Sequence, residues 1–247
     1  MGTKFSTRVW VSVVGIASIF FGSKGYADTV ISVADFGLKP DTRENAVAYV
    51  QKAIEACRGK EPVTLVFPEG RYDFWPQYAH EKNYYETNTY DVFPKRLAML
   101  FEGLHNITVD GSGSQFVMHD RIQPITVENC DGVTLKNFSI DWDIPLTAQA
   151  RVTKVGSDFF EIEINVLESP YIIEDGKLVF VGEGWKSALG SMIEFESDTH
   201  FVVPGTGDLV LGWNWGDYTA VSPRYGIVRL SRKGGFERYP AEGNWLV

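Results

Sequence analysis

The amino-acid sequence predicts an all-β protein: a right-handed parallel β-helix with an N-terminal capping helix, interrupted by an antiparallel β-barrel insertion. Three observations predict this class. A strand, an amphipathic helix and a second strand occupy residues 30–72, two strand-like segments recur 26 positions apart, and longer alternating strands with hairpin turns follow residue 145. A stacked β architecture needs its terminal repeat covered, and the helix can supply that cover.

The capping helix is predicted to begin at Asp41, because Asp41 and Glu44 have the spacing of a capping box. Its apolar residues recur at helical spacing and form one stripe, which consists of Val47, Val50, Ile54 and Cys57. Strands are predicted on either side of the helix, over residues 30–33 and 63–67.

The repeat lies in the segments Ile107-Thr108-Val109 and Val133-Thr134-Leu135, which are 26 positions apart. Further short strands are predicted at 116–118, 125–127 and 138–140, with Gly, Asn and Asp turns between them. An ordinary β-sandwich is the alternative reading of these strands. The helical cap favours the β-helix.

The pattern changes after residue 145. Residues 148–155, 159–164 and 178–181 alternate between apolar and polar side chains, and hairpin turns lie at 156–158 and 174–176. The predicted domains are therefore a signal peptide (1–27), the cap with the first β-helix coils (28–145) and a barrel-like insertion (146–247). Because the chain stops on an apolar strand, we expect a C-terminally truncated fragment that lacks later coils.

The first residues are typical of an export signal. Lys4 and Arg8 precede an apolar run over residues 9–21, and small residues stand before a cleavage site after Ala27. The run is shorter than the ~20 residues that a bilayer requires, although a membrane anchor is the alternative reading. The sequence thus predicts a periplasmic or secreted protein that makes no membrane contact after cleavage.

The composition of the chain favours some classes of binding partner over others. A net charge of −9 argues against nucleic acid, which is normally bound by a basic surface, and weakly against a lyase acting on anionic polyuronates. With 14% aromatic residues, the chain is better suited to a neutral glycan. Two cysteines and four histidines stand in no metal-binding spacing, so neither a metal site nor a cofactor is expected.

The carboxylates Asp141 and Asp143 flank Trp142 at the end of a predicted strand and share the face opposite Phe138 and Ile140. Residues two apart on a strand are ~7 Å apart, which fits the ~6.5–9.5 Å between the carboxyl groups of inverting glycosidases. The pair is a catalytic candidate. A turn or a substrate contact is the alternative role.

Residues 71–91 are rich in aromatic and amide side chains, which stack on sugar rings and bind their hydroxyl groups. The predicted substrate contacts from this segment are Trp75, Tyr84, Tyr85 and Asn88. The alternative is that the rings only cover the side of the β-helix.

Five segments carry a family resemblance: V-A-D-F-G, V-F-P-E-G-R-Y-D-F-W-P, the loop Y-Y-E-T-N-T over residues 84–89, F-E-G-L-H-N-I-T-V-D-G-S-G-S and N-F-S-I-D-W-D-I-P-L-T-A-Q-A. Together they resemble the bacterial α-1,3-galactosidases of glycoside hydrolase family 110, which belong to the pectin-lyase-like superfamily. The resemblance implies an exo-acting, inverting, metal-independent hydrolase that removes terminal α-1,3-linked galactose from blood-group-B-type or linear glycans.

The resemblance also implies that the catalytic acids lie on coils after the barrel insertion. They are therefore expected after Val247, the catalytic pair of this chain stays unknown, and the chain alone is expected to be inert. Two rival functions are a polysaccharide lyase of the same fold and a noncatalytic glycan-binding module.

Overall fold

The computed structural model describes residues 29–84, 94–204, 209–210, 218–236 and 238–247, and it is mostly β. The predicted signal peptide lies outside the described residues. A short 3₁₀ helix spans Val33–Phe36, and helix α1 spans Val47–Cys57. The strands are β1 (Thr29–Ser32), β2 (Val63–Val66), β3 (Arg71–Phe74), β4 (His80–Lys82), β5 (Lys95–Glu102), β6 (His105–Met118), β7 (Gln123–Glu128), β8 (Asp131–Trp142), β9 (Ala150–Val155), β10 (Phe159–Ile164), β11 (Tyr171–Glu174), β12 (Lys177–Gly182), β13 (Trp185–Ala188), β14 (Ser191–Met192), β15 (Glu194–Phe195), β16 (Leu209–Val210), β17 (Thr219–Arg224), β18 (Ile227–Ser231) and β19 (Trp245–Leu246).

The predicted start of the helix is wrong. Asp41 has a φ of 61° and its Oδ1 accepts a hydrogen bond from the backbone N–H of Arg71, so it caps no helix. The helix begins at Val47, where Asn45 Oδ1 accepts the Val47 N–H at 3.1 Å. The predicted stripe is confirmed, because Val47, Val50, Ile54 and Cys57 are all buried in the first hydrophobic core.

Parallel strand pairing organises residues 29–142. On one face β1, β2, β6 and β8 lie side by side, and the register joins Val63 to Ile107 and Ile107 to Val133. The predicted repeat is therefore a pair of directly stacked strands. A second face stacks β3, β6 and β8, and a separate sheet stacks β7 in parallel on β5.

Bends in β6 and β8 allow each strand to serve two faces. Their pairing shifts register between Asp110 and Ser114, and Ser112 and Asn137 adopt positive φ at the bend. Asn137 donates from Nδ2 to Asp110 Oδ1 at 3.0 Å, so the two bends are joined by a side-chain hydrogen bond. Asparagine suits this position because it tolerates a left-handed backbone better than most residues.

An aromatic stack fills the inside of the parallel sheets. The rings of Phe67, Phe116 and Phe138 follow one another with centroid distances of 4.7 Å at each step. Tyr72 and Phe74 pack edge-on against Phe116. The register pairs Phe138 with Ser114 rather than with Phe116, so the rings reach one another across the interior from different register positions and together form a continuous aromatic core.

The second hydrophobic core belongs to residues 150–246 and is built by antiparallel strands. A six-stranded sheet has the order β15-β19-β9-β10-β18-β17, and β11, β12 and β13 form a three-stranded sheet beside it. The predicted strand 159–164 is confirmed. The predicted hairpin turn at 174–176 is also confirmed, and its residues Asp175 and Gly176 both have positive φ. Within the described residues these strands do not close into a ring.

Among the described residues, the helices are too short or too polar to cross a bilayer.

The last parallel layer is left partly uncovered. Among the described strands, β8 pairs with β6 alone and β7 pairs with β5 alone. Apolar residues of these two strands are exposed, with Val127 at 47%, Leu135 at 40% and Ile140 at 38% relative accessibility. Ile140, on the predicted apolar face of its strand, is therefore exposed in this layer. An unpaired strand edge beside apolar side chains favours association.

We expect the chain to self-associate through this layer. Introducing charge there by Leu135→Lys and Ile140→Lys together should shift the protein toward monomer, as measured by size-exclusion chromatography with light scattering. Leu167→Lys is the matched control, because Leu167 is 84% exposed on a turn of the second core and should not change the mass. A monodisperse wild-type monomer would contradict the prediction.

The buried thiol of Cys57 should be unreactive. Burial, with a smaller effect of the Glu61 charge, raises the pKa of Cys57 to about 11, and the thiol donates to the Ala53 carbonyl at 3.2 Å. Since the thiolate is the reactive form, iodoacetamide at about pH 8 should leave Cys57 unmodified until the protein is unfolded. Peptide mass spectrometry before and after denaturation measures this, and rapid labelling of the native protein would refute it.

Candidate functional site

Three strands of the parallel sheets end on one layer. The aligned final residues of β3, β6 and β8 are Phe74, Met118 and Trp142. The next residues of the three strands, Trp75, His119 and Asp143, therefore emerge side by side, because neighbouring strands lie about 4.8 Å apart. A network of charged side chains forms around this point.

Asp73 is the buried centre of that network, with a side chain that is 0% exposed. Its Oδ1 accepts hydrogen bonds from Arg71 at 3.0 and 2.6 Å and lies 2.9 Å from His119 Nε2 and 3.6 Å from Arg43 Nη1. Burial disfavours the charged form of Asp73. The hydrogen bonds from Arg71 and His119, with the charges of Arg71 and Arg43, outweigh burial and lower its pKa below the ordinary value.

Asp143, a predicted candidate, lies at the open rim of the network. Its Oδ1 accepts a 2.8 Å hydrogen bond from Arg71 and is 3.7 Å from Arg43, while 40% of the side chain is exposed. The pKa of Arg71 is raised, chiefly by its hydrogen bond to Asp73 and further by its hydrogen bond to Asp143. Desolvation of the guanidinium opposes this shift but does not outweigh it. Arg71 therefore carries a fixed positive charge between two carboxylates.

Glu183 reaches the same place from the second core. It lies in the turn between β12 and β13, and its Oε2 is 2.6 Å from Nδ1 of His119. His119 is thus held between Asp73 and Glu183, and its side chain is only 3% exposed. The imidazole therefore bridges one carboxylate of the parallel sheets and one of the second core.

Trp75, a predicted glycan contact, packs on this histidine. The two rings are nearly parallel, with centroids 3.8 Å apart and planes 12° apart. Asn45 fixes the adjoining backbone, since its Nδ2 donates to the carbonyl of Gln77 at 2.9 Å. One face of the Trp75 indole is therefore occupied by His119, and the ring is partly buried.

A metal ion could in principle be held here. Ligand atoms of His119, Asp143 and Glu183 all lie within 4.8 Å of one another. However, Arg71 and Arg43 already place two guanidinium charges on Asp143. A divalent cation would have to displace them against charge repulsion, so the network fits a hydrogen-bonded ion cluster better than a metal centre.

Asp141 does not join Asp143. It is exposed, and its Oδ1 accepts a hydrogen bond from the Trp142 N–H of its own strand end at 2.8 Å. The two predicted carboxylates therefore differ in their surroundings: one caps its own backbone, and the other is bound by two arginines. This arrangement favours the alternative roles, a turn for Asp141 and a contact for Asp143.

Tyr84 lies in another cluster, at the end of the β4-β5-β7 sheet. Lys82 Nζ donates to Glu102 at 2.8 Å and to Glu128 at 2.9 Å, and Tyr84 also donates to Glu128. The hydrogen bonds from Tyr84 and Lys82 lower the pKa of Glu128. Tyr85 and Asn88 lie outside the described residues.

The structure thus joins two of the predicted site residues, Trp75 and Asp143, and separates Tyr84 from them. Sequence reasoning missed the groups that hold the network together, which are Arg43, Arg71, Asp73, His119 and Glu183. The alternation in Arg71-Tyr72-Asp73-Phe74 could have indicated two of these residues, because it places both charged side chains on the strand face opposite two core aromatics. No local pattern indicates Glu183, because its partner His119 is 64 residues away in the sequence.

Comparison with known proteins places these features in a family. Residues 148–246 match the family model described as GLAA-B beta-barrel domain I. The chain is 56% identical over 223 residues to α-1,3-galactosidase B of Bacteroides thetaiotaomicron, a match that covers 90% of this chain and 36% of that protein.

Two further relatives agree. The chain is 32% identical over 219 residues to α-1,3-galactosidase A of Shewanella woodyi, covering 88% of this chain and 35% of that protein. It is 33% identical over 228 residues to α-1,3-galactosidase A of Bacteroides fragilis, a match that covers 89% of this chain and 36% of that protein. The chain therefore spans about a third of the length of the curated relatives it matches, and the predicted family resemblance is confirmed.

Asp73 should make stability depend on acid pH. Because the pKa of Asp73 is lower in the folded state than in the unfolded state, its ionised carboxylate stabilises the fold. This contribution is fully present at a pH above the unfolded-state pKa of about 3.9, and it is lost as the pH falls through the folded-state pKa. Asp73→Asn should therefore cost about 3 kcal/mol at neutral pH and flatten the loss of stability below about pH 4. Urea unfolding across this pH range measures both effects.

The control is Asp141→Asn, because Asp141 occupies the aligned position on β8 but is exposed and bonded within its own turn. It should change the free energy of unfolding by less than about 0.5 kcal/mol. Equal effects of the two substitutions would show that the Asp73 network contributes no special stability.

Proposed function

The chain belongs to the α-1,3-galactosidases of glycoside hydrolase family 110. We therefore propose that it forms part of an exo-acting glycoside hydrolase. The proposed substrate is a blood-group-B-type or linear glycan, from which terminal α-1,3-linked galactose is removed with inversion. The 56% identity over 90% of the chain to an α-1,3-galactosidase B carries the proposal.

Inversion requires one carboxylic acid to protonate the leaving oxygen and one carboxylate to activate water. Asp143 Oδ1 lies 2.8 Å from Arg71 and 3.7 Å from Arg43, and 40% of the side chain is exposed, so the carboxylate can accept hydrogen bonds from sugar hydroxyl groups. We therefore assign Asp143 to substrate contact, and we expect the acid and the base in the part of the relatives that this chain does not span.

The remaining parts of the proposal concern architecture and location. The stacking of β6 on β2 and of β8 on β6 supports a right-handed parallel β-helix over residues 28–145, followed by a barrel-like unit over 146–247. The basic residues and apolar run of residues 1–27 support export to the periplasm or beyond, without nucleic-acid or membrane partners after cleavage.

A noncatalytic glycan-binding module is the second candidate. The observation that favours it is the different environment of Asp141 and Asp143, which leaves no matched carboxylate pair at this strand end. In either case the exposed rim beside Trp75 is the proposed contact surface, with Asp143 and Arg43 binding hydroxyl groups. Tyr84, Tyr85 and Asn88 remain proposed contacts.

The test uses residues 28–247 with a blood-group-B trisaccharide and, as a control ligand, the corresponding glycan without the terminal galactose. We expect calorimetric binding of the first glycan alone and no release of galactose. Full-length α-1,3-galactosidase B of Bacteroides thetaiotaomicron serves as the positive control for release. Galactose release by this chain would refute the assignment of the catalytic acids elsewhere, and absence of binding would refute the contact surface.

Trp75→Ala should weaken glycan binding about tenfold, because it removes the indole and the support of His119. Tyr225→Ala is the matched control, since Tyr225 is 84% exposed at the turn between β17 and β18. Equal affinities of the two variants would remove Trp75 from the site.

A further inference from the structure

Three consecutive residues after β6 meet three consecutive residues of the turn between β12 and β13. His119 contacts Glu183 through the 2.6 Å hydrogen bond. Gly184 lies so close to Asp120 that an added Cβ would be 2.5 Å from its Oδ2. The guanidinium of Arg121 lies 5.7 Å from the ring centre of Trp185. A continuous loop-to-turn contact thus joins the parallel sheets to the second core.

The chemistry of this contact is specific at each step. Gly184 has a φ of 75°, which favours glycine, and a Cβ added there would force the Asp120 carboxylate to move. Trp185 packs beneath Arg121 as a cation–π pair. Because His119 is buried and hydrogen-bonded to buried Asp73 on its other side, the contact is anchored in the parallel sheets rather than on a mobile surface chain.

A pocket of about 330 Å³ lies beside the covalent connection between the two cores, against residues 144–148 and walls of the second core that include Phe180, Leu189 and Met192. The connection therefore borders open space on this side. The charged contact joins the two cores at a second place.

We propose that residues 119–121 and 182–185 form a latch that locks the second core onto the parallel sheets, with His119 bridging Asp73 and Glu183. The latch sets the distance between Glu183 and Asp143, two half-exposed carboxylates that come from the two different cores and whose ligand atoms lie within 4.8 Å. It does not depend on the proposed glycan activity.

Glu183→Gln and Gly184→Ala test the latch in two independent ways. The first removes the charge that faces His119, and the second forces a Cβ against Asp120. Each should speed hydrogen–deuterium exchange in the peptides covering 119–122 and 182–189 by about tenfold or more, because the loop and turn separate. Amides in the centres of β6 and β10 should exchange as in the wild type, which shows that both cores remain folded.

Glu174→Gln is the matched control, because Glu174 pairs with Lys186 at 3.1 Å on the same small sheet but is 52% exposed. Unchanged exchange in Glu183→Gln and Gly184→Ala, or an equal change in Glu174→Gln, would overturn the proposal. So would loss of wild-type protection on adding EDTA, since the contact would then depend on a bound divalent cation rather than on the direct hydrogen bond.

Discussion

The alignment of each parallel strand on the preceding one is the constraint on which this structure depends. Because Val63, Ile107 and Val133 occupy one line, as do Phe74, Met118 and Trp142, the side chains of different layers lie directly over one another. Inside the sheets the rings of Phe67, Phe116 and Phe138 stack across the layers, although the register pairs Phe116 with Ile140 rather than with Phe138. Outside, at the strand ends, the same alignment brings Trp75, His119 and Asp143 together.

Charge compensation follows from that alignment. A carboxylate as buried as Asp73 is stable only when it is paired, and Arg71, Arg43 and His119 supply the pairing. The compensation extends outward to Asp143 and, through His119, to Glu183. The ion network at the strand ends therefore performs two structural tasks, since it neutralises a buried acid and reaches the second core.

Local patterns predicted the elements well where one periodicity acted alone. The apolar stripe of α1, the stacked repeat and the hairpin strands after residue 145 are all found. The helix start was mispredicted, because the Asp41 carboxylate binds the distant Arg71 backbone instead of a local amide. Alternation placed Ile140 on the apolar face of its strand, but it is exposed, because among the described strands β8 pairs with β6 alone.

For the candidate site, the sequence predicted Trp75 from its residue type and Asp143 from its position at a strand end, and it identified the family from five segments. It could not place Arg43, His119 or Glu183, because their importance comes from contacts made across 30 to 64 residues of chain, as between Asp73 and Arg43 or between His119 and Glu183. Periodicity is a local property and determined the strands, the helix and the inward faces. Which charges meet at the strand ends was decided only by the tertiary structure, since register and the docking of one core on the other set those distances.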